Sequence, residues 1–384
     1  MRTAYLDCNA TAPLRPVARE AMLAALSQTG NASSVHRFGR AARSLIEDAR
    51  AAVAELVGVQ AAQVVFTSGA TEANAMALRG LRRPVLASAG EHVSVLEAAP
   101  TTKVPLRADG VIDLEALEHA LGVAETPPVL AVMLANNETG TIQPVVAAAR
   151  LARDHGAVLH CDAVQAAGKI PLDFASLGAA TLSLSAHKFG GPQGISALIL
   201  AAGIDTAALF CGGGQERRRR AGTENVAAIA GFGAAARAAQ RDLATMQSMA
   251  RLRDELESEM RAREPALAIH GAEAARLPNP SCFGAPGMSA ETLVMALDLA
   301  GVAVGAGSAC SSGKVAPSHV LLAMGASETQ AREAIRVSLG WASTAEDTKQ
   351  FLTAWEAALK RRRAPGVESP AKAPGGLAIA GHID

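Results

Sequence analysis

Three short segments carry residue types that could act on a carbonyl, an aromatic nitrogen and an anion. In Ser183-Leu184-Ser185-Ala186-His187-Lys188-Phe189-Gly190-Gly191-Pro192 a lysine directly follows an apolar strand. A lysine amine condenses with a carbonyl to an imine once its pKa is drawn below the ordinary value of about 10.4. Burial near a ligand and the adjacent His187 would both lower it. In His160-Cys161-Asp162-Ala163-Val164-Gln165 a carboxylate follows the strand Ala157 to Cys161. There it can keep a pyridine nitrogen protonated, while Gln165 reaches a neighbouring ring oxygen; the same Asp would also serve as an N-cap. Thr67-Ser68-Gly69-Ala70-Thr71-Glu72 joins a strand to a helix. The Ala70 and Thr71 backbone N–H groups and the Thr71 hydroxyl can therefore face an anion such as a phosphate, although a plain turn and cap looks alike. A lone lysine is ordinarily a solvated charge. Three such segments, each after its own strand, are worth more together than any one.

The elements that must position these groups are legible in the apolar pattern. Short apolar runs alternate with helical segments from about residue 45 to residue 240, the pattern of an α/β domain with a mostly parallel sheet. Strands are expected at Gln63 to Thr67, Pro128 to Leu134, Ala157 to Cys161, Thr181 to Ser185 and Ile195 to Ala201, with helices over Thr71 to Leu78 and Val145 to His155. The motif residues fall just after strands, where doubly wound sheets bind ligands. A charged helical stretch from Ala239 to Glu264 leads into a smaller α+β domain. We expect a large domain over 14–245 and a small one from 1–13 and 246–364. The Pro, Gly and Ala-rich stretch 365–384 reads as a disordered tail.

Composition narrows the partners. With 384 residues, 49% hydrophobic, the chain can fill two cores, and 36 basic against 36 acidic residues give no overall pull toward nucleic acid or membrane surfaces. The run Arg217-Arg218-Arg219-Arg220 lacks the interleaved aromatics of a nucleic-acid groove, and Lys360-Arg361-Arg362-Arg363 reads as a solvated helix end. Five scattered cysteines (Cys8, Cys161, Cys211, Cys282, Cys310) form no metal-spacing motif and no disulfide framework, so reduced thiols in the cytoplasm are expected.

In chain order, Tyr5-Leu6-Asp7, Asn31-Ala32-Ser33-Ser34-Val35-His36, Gly69-Ala70-Thr71-Glu72, Asn136-Asn137-Glu138-Thr139-Gly140-Thr141-Ile142-Gln143-Pro144, Ser185-Ala186-His187-Lys188, Ala221-Gly222-Thr223, Gly307-Ser308-Ala309-Cys310 and Arg336-Val337-Ser338-Leu339-Gly340 resemble the cysteine desulfurases of the NifS/IscS type, class V aminotransferases of pyridoxal-phosphate fold type I. The resemblance covers nearly the whole chain. It implies pyridoxal 5'-phosphate carried as a Schiff base on Lys188, with Asp162 on the pyridine nitrogen and Gln165 on the ring oxygen. It further implies a phosphate held by Ala70, Thr71, Ser185 and His187, with Thr223 reaching in from a second subunit of a homodimer. His92 would stack on the ring and move protons; without the resemblance it reads as an ordinary loop histidine. Asn137 would lie at cofactor and substrate, and Arg336 would grip the carboxylate of L-cysteine.

Cys310 separates a desulfurase from its relatives. It lies among small residues, Gly305 to Lys314, with no apolar periodicity, as a mobile, exposed loop would. The thiol would take sulfur from the substrate as a persulfide, pass it to an acceptor protein for iron–sulfur cluster assembly or other sulfur delivery, and could transiently ligate a cluster. No resident metal is expected. Cys8, Ala12 and Thr139 depart from the commoner family pattern, which leaves the acceptor open. The alternatives are a selenocysteine lyase or aminotransferase of the same fold and, from another class, a non-catalytic sulfur or iron–sulfur scaffold.

Overall fold

Val64–Thr67, Thr181–Ser185 and Ser196–Leu200 are buried along their whole length, as strands covered on both faces must be. In the computed structural model, which describes residues 3–306 and 316–363, they join a seven-stranded sheet. Its order is Val64–Thr67, Ser196–Leu200, Thr181–Ser185, Val158–Asp162, Val129–Ala131, Val85–Ser88, Thr101–Val104. The last five run parallel, whereas Ser196–Leu200 is antiparallel to both neighbours. Thr181–Ser185 keeps its expected bounds, Val64–Thr67 loses one residue at its expected start and Ser196–Leu200 one at each expected end, and two strands depart further. Pro128 to Leu134 shortens to Val129–Ala131, and the strand expected over Ala157 to Cys161 extends through Asp162, which pairs with Ser183. Asp162 is therefore held by the ladder itself rather than by a following loop.

The chain runs from Val85–Ser88 outward to Thr101–Val104, then returns to Val129–Ala131 on the other side of Val85–Ser88. Such a reversal opens a crevice beyond the strand ends. The His92 loop follows one strand at that point and the Asn137 loop follows the other. Helices Pro16–Leu26, Arg37–Leu56 and Val226–Arg241 pack together over one face. Gly233 permits this: a Cβ there would stand 2.5 Å from the Ala49 Cα.

A second apolar core gathers Leu6 with Met249, Leu256, Phe283, Ile335, Phe351 and Trp355. It is built on the antiparallel sheet Gly305–Ala306, Ala334–Ser338, Pro280–Gly284, Ala268–His270. The N-terminal strand Ala4–Tyr5 joins this core by pairing with Val302–Ala303, which leaves Asp7 to Ala12 running between the two cores. The charged helix begins at Leu243, not Ala239: Val226–Arg241 ends first, and Asp242 at the junction pairs with Arg15. The basic end of Ala345–Arg363 also departs from a solvated reading, since Arg362 pairs with Glu264 and donates to the Pro286 carbonyl at 2.7 Å. Phe283 meets Trp355 edge-on at 5.4 Å. Phe283→Ala is expected to cost about 3–5 kcal/mol in urea unfolding.

Candidate active site

Lys188 closes the turn Ala186–Lys188 that follows the strand Thr181–Ser185, and its Nζ donates to the Asn9 carbonyl at 2.7 Å and the Ala10 carbonyl at 2.9 Å. Burial and the Arg336 cation draw its pKa down to about 8, against the pull of Asp162 and Asp7. Half of the amine is then neutral near pH 8. In the cofactor-free chain, imine formation with a small aldehyde is expected to rise with a midpoint near that pH. Arg336→Gln, which removes the leading cation, should move the midpoint upward in a stopped-flow absorbance titration.

Asn9 is the hub beneath this lysine. Its carbonyl also accepts Gln165 Nε2 at 2.9 Å, and its Oδ1 accepts Lys169 Nζ at 2.8 Å and Asn279 Nδ2 at 2.9 Å. Lys169 Nζ donates in addition to Gln165 Oε1 at 2.7 Å. With its oxygen so occupied, Gln165 has only its amide N–H groups to offer a ligand. Asp162 Oδ1 accepts the Val164 N–H at 3.0 Å and Oδ2 accepts Asn74 Nδ2 at 2.9 Å. His92 caps the turn Val93–Leu96: its Nδ1 accepts the Ser94 N–H at 3.1 Å and meets Ser94 Oγ at 2.8 Å. Crowding by the protein lowers its pKa; the Asp162 charge opposes this, and Lys188 and His319 add to it.

The anion cradle also takes shape. Helix Ala70–Gly80 starts after Gly69 with no side-chain cap, so its leading N–H groups at Ala70 and Thr71 stay open. Glu72 takes up the Ser68 N–H at 2.7 Å and pairs with Arg220 at 2.8 Å, which holds its carboxyl below the usual range despite burial. Ser185 Oγ accepts from Ser196 Oγ at 3.0 Å and keeps its own proton to give. His187 meets Thr11 Oγ1 at 3.1 Å, and burial, with Lys188 and Lys169, pushes its pKa down to about 4. Thr223 lies exposed in an open depression of roughly 570 Å³ with Phe210, Gln215 and Arg220. In the Arg217 to Arg220 run, Arg219 pairs with Asp205 and Arg220 with Glu72, so two of its charges are spent within the chain.

Arg336 is buried, with Nη2 on Asp7 Oδ1 at 2.6 Å, Nη1 on the Asn137 carbonyl at 3.0 Å and Nε without a partner among the described residues. A buried guanidinium N–H left open is the donor an incoming carboxylate would take. Asn137 thus enters the site by its backbone oxygen, which also accepts Asn9 Nδ2 at 3.1 Å. Cys310 lies outside the described residues. The chain on either side is placed at the site: Gly305 pairs with Arg336, and Ser318 Oγ bonds the buried Glu138 carboxyl, whose pKa burial pushes up to about 7 against the Ser318 hydroxyl and Arg336. His319 Nε2 reaches the Glu91 carbonyl at 2.9 Å.

The donor set fits a phosphorylated pyridine aldehyde. It combines an amine of lowered pKa, a carboxylate, a side-chain amide whose oxygen is already taken, an uncapped helix start with hydroxyls, and an open guanidinium N–H. Asn9, Asn74, Ser94 and Lys169 escaped the sequence reading. Only the four-residue offset of Lys169 from Gln165 could have signalled any of them.

Residues 4–351 match the family described as "Aminotransferase class-V". A cysteine desulfurase of Cereibacter sphaeroides is 42% identical over 370 residues, 92% of this chain and 94% of that protein. An IscS-like cysteine desulfurase of Mycobacterium tuberculosis is 39% identical over 381 residues, 94% and 97% of the two chains. The X-ray structure of a NifS-like protein from Rickettsia africae superposes with a TM-score of 0.87 at 32% identity, covering 94% of this chain and all of that one. The fold and site define an α/β enzyme of fold type I. The chain belongs to the aminotransferase class-V family.

Proposed function

We propose that this protein is a pyridoxal-phosphate-dependent cysteine desulfurase, converting L-cysteine to L-alanine and passing the sulfur on as a persulfide of Cys310. The reading is carried by the convergence of Lys188, its pKa drawn to about 8, with Asp162 at the ends of adjacent parallel strands. It is supported by the names of the relatives. When bound, pyridoxal phosphate supplies an electron sink that makes the Cα–H of an amino acid acidic.

The residues of the chain do the rest. Asp162 holds a proton at the pyridine nitrogen, Gln165 donates to the ring oxygen, and Ala70, Thr71, Ser185 and His187 donate to the phosphate. Lys188 anchors the cofactor and then takes the proton from Cα. Arg336 holds the substrate carboxylate beside Asn137. The Cys310 thiolate attacks the substrate sulfur: an S–S bond forms, the Cβ–S bond breaks with its electron pair left on carbon, Cβ takes up a proton, and Lys188 returns a proton to Cα. His92 is placed to relay protons. Thr223, exposed on its open loop, would serve the site of a second copy in a homodimer, and a sulfur-acceptor protein would collect the persulfide. We take the two apolar cores as the two domains.

Among the described residues no helix is long and apolar enough to cross a membrane, and no group of metal-ligating side chains gathers. The four described cysteines are free, as a reducing compartment such as the cytoplasm would keep them. The chain supplied with pyridoxal phosphate, L-cysteine and dithiothreitol is expected to release alanine and sulfide in equal amounts; neither product would sink the reading. Arg336→Lys, losing the forked geometry, should raise KM for cysteine about 10–100-fold with a smaller change in kcat.

A further inference from the structure

Asn74 lies in helix Ala70–Gly80, one turn beyond the cradle, and is fully buried. Its side chain makes three hydrogen bonds, each to a different polar group. Nδ2 lies 2.9 Å from Asp162 Oδ2 and 2.9 Å from Ser94 Oγ, and Oδ1 lies 3.1 Å from His160 Nε2. Valence sets the direction of each. A carboxylate oxygen only accepts, so the amide NH₂ faces Asp162 and the amide oxygen faces His160, whose Nε2 must carry the proton.

Burial pushes the His160 pKa down to about 4, leaving a neutral ring whose Nδ1 accepts from Thr181 Oγ1 at 2.8 Å. The second amide proton occupies a lone pair of Ser94 Oγ and leaves the Ser94 hydroxyl to donate to His92 Nδ1 at 2.8 Å. The Ser94 N–H points at the same nitrogen. His92 therefore carries its proton on Nε2. The bonds run one way, from Thr181 through His160 to Asn74, where they divide toward Asp162 and toward His92.

On the reading of the site given above, we propose that Asn74 is a positioning residue for the reaction: one buried amide that fixes the hydrogen-bond direction of Asp162 and, through Ser94, of His92. It touches neither substrate nor cofactor. Its work is to keep the Asp162 carboxylate supplied with a donor and the His92 ring in one tautomer. The titratable groups that face this network are Asp162, His160 and His92, with Glu91, Cys161 and Lys188 within the field of Asp162 and His319 within that of His92.

Asn74→Asp keeps the shape and sets a second carboxyl against Asp162 Oδ2. Two carboxyls in hydrogen-bond contact share one proton, so the introduced group has a folded-state pKa above its unfolded value of about 3.9. The deficit in stability is then absent below that unfolded value and grows as pH rises through the folded one. For the cofactor-free chain, the melting temperature of the wild type minus that of the variant should be larger at about pH 8.5 than at about pH 5, levelling off above the folded-state pKa of the introduced group. In the holoenzyme, the ratio of kcat/KM between variant and wild type should fall at least about tenfold over the same interval. Asn74→Ala should lower the melting temperature and kcat/KM by amounts that do not vary with pH over that interval. A pH-independent deficit in Asn74→Asp, in melting and in kcat/KM alike, would overturn the proposal.

The double exchange Asn74→Asp with Asp162→Asn covers the case in which the single variant fails to fold. It restores one donor facing one acceptor, and should recover the cofactor-free melting temperature near pH 8.5. No recovery also overturns the proposal. Melting does not depend on turnover, so a wild-type chain inert toward cysteine would remove the functional reading while the melts still decide the role of Asn74.

Discussion

Replacing Lys188 by Ala should lower alanine production from L-cysteine by about 10⁴-fold, the upper end of what a positioned proton-transfer group contributes. Two losses combine. The covalent anchor disappears, and so does the amine that moves the Cα proton. The fold should survive, because the Asn9 carbonyl left behind still accepts Gln165 Nε2, and the amine removed was paying a burial penalty that drew its pKa to about 8. The unfolding midpoint of the cofactor-free variant should therefore stay close to the wild type. Borohydride followed by peptide mass analysis gives the direct check. The wild type should retain the reduced cofactor on the Lys188 peptide and the variant on no peptide. Retention in the variant would mean that another lysine, with buried Lys169 the nearest candidate, is the anchor.

Cys310→Ser should cost at least about 100-fold in sulfide release, because a serine hydroxyl stays protonated at neutral pH where a thiol is a few per cent ionised. The same variant should exchange the Cα proton of cysteine with solvent deuterium within about twofold of the wild-type rate, since Lys188, Asp162 and Gln165 are untouched. That split separates sulfur transfer from carbon acid chemistry. Equal loss of both activities would place Cys310 in the positioning of substrate. Equal retention would remove Cys310 as the group that takes the sulfur.

The chemistry-bearing segments were legible because each follows a strand and carries a side chain whose type announces its use: Lys188, Asp162, Gln165, Thr71. Five of the seven strands of the large sheet were legible as apolar runs, whereas Val85–Ser88 and the half-exposed edge strand Thr101–Val104 were not among those expected. What stayed hidden is long-range. Asn9 holds Lys188 and Gln165 with a backbone carbonyl, which no residue type announces. The departures at Cys8 and Ala12 drew attention to that stretch for another reason. Asn74 joins Asp162 and Ser94 across 88 and 20 residues of sequence, and its place in a helix after a cradle looks like filler. Arg362 reads as one cation in a solvated run, yet it pairs with Glu264 across 98 residues. The extension of the strand to Asp162 was missed because a charged residue ends an apolar run, whereas its ladder partner Ser183 carries it one step further.

Transfer of sulfur from cysteine onto Cys310 can be read by intact-sulfur mass analysis. The chain loaded with pyridoxal phosphate is mixed with L-cysteine without reductant, quenched by alkylation and digested. The Cys310 peptide should be recovered as an alkylated persulfide, one sulfur atom heavier than the alkylated thiol, with one alanine formed for each persulfide. Alanine formed while the Cys310 peptide carries no additional sulfur would contradict that transfer.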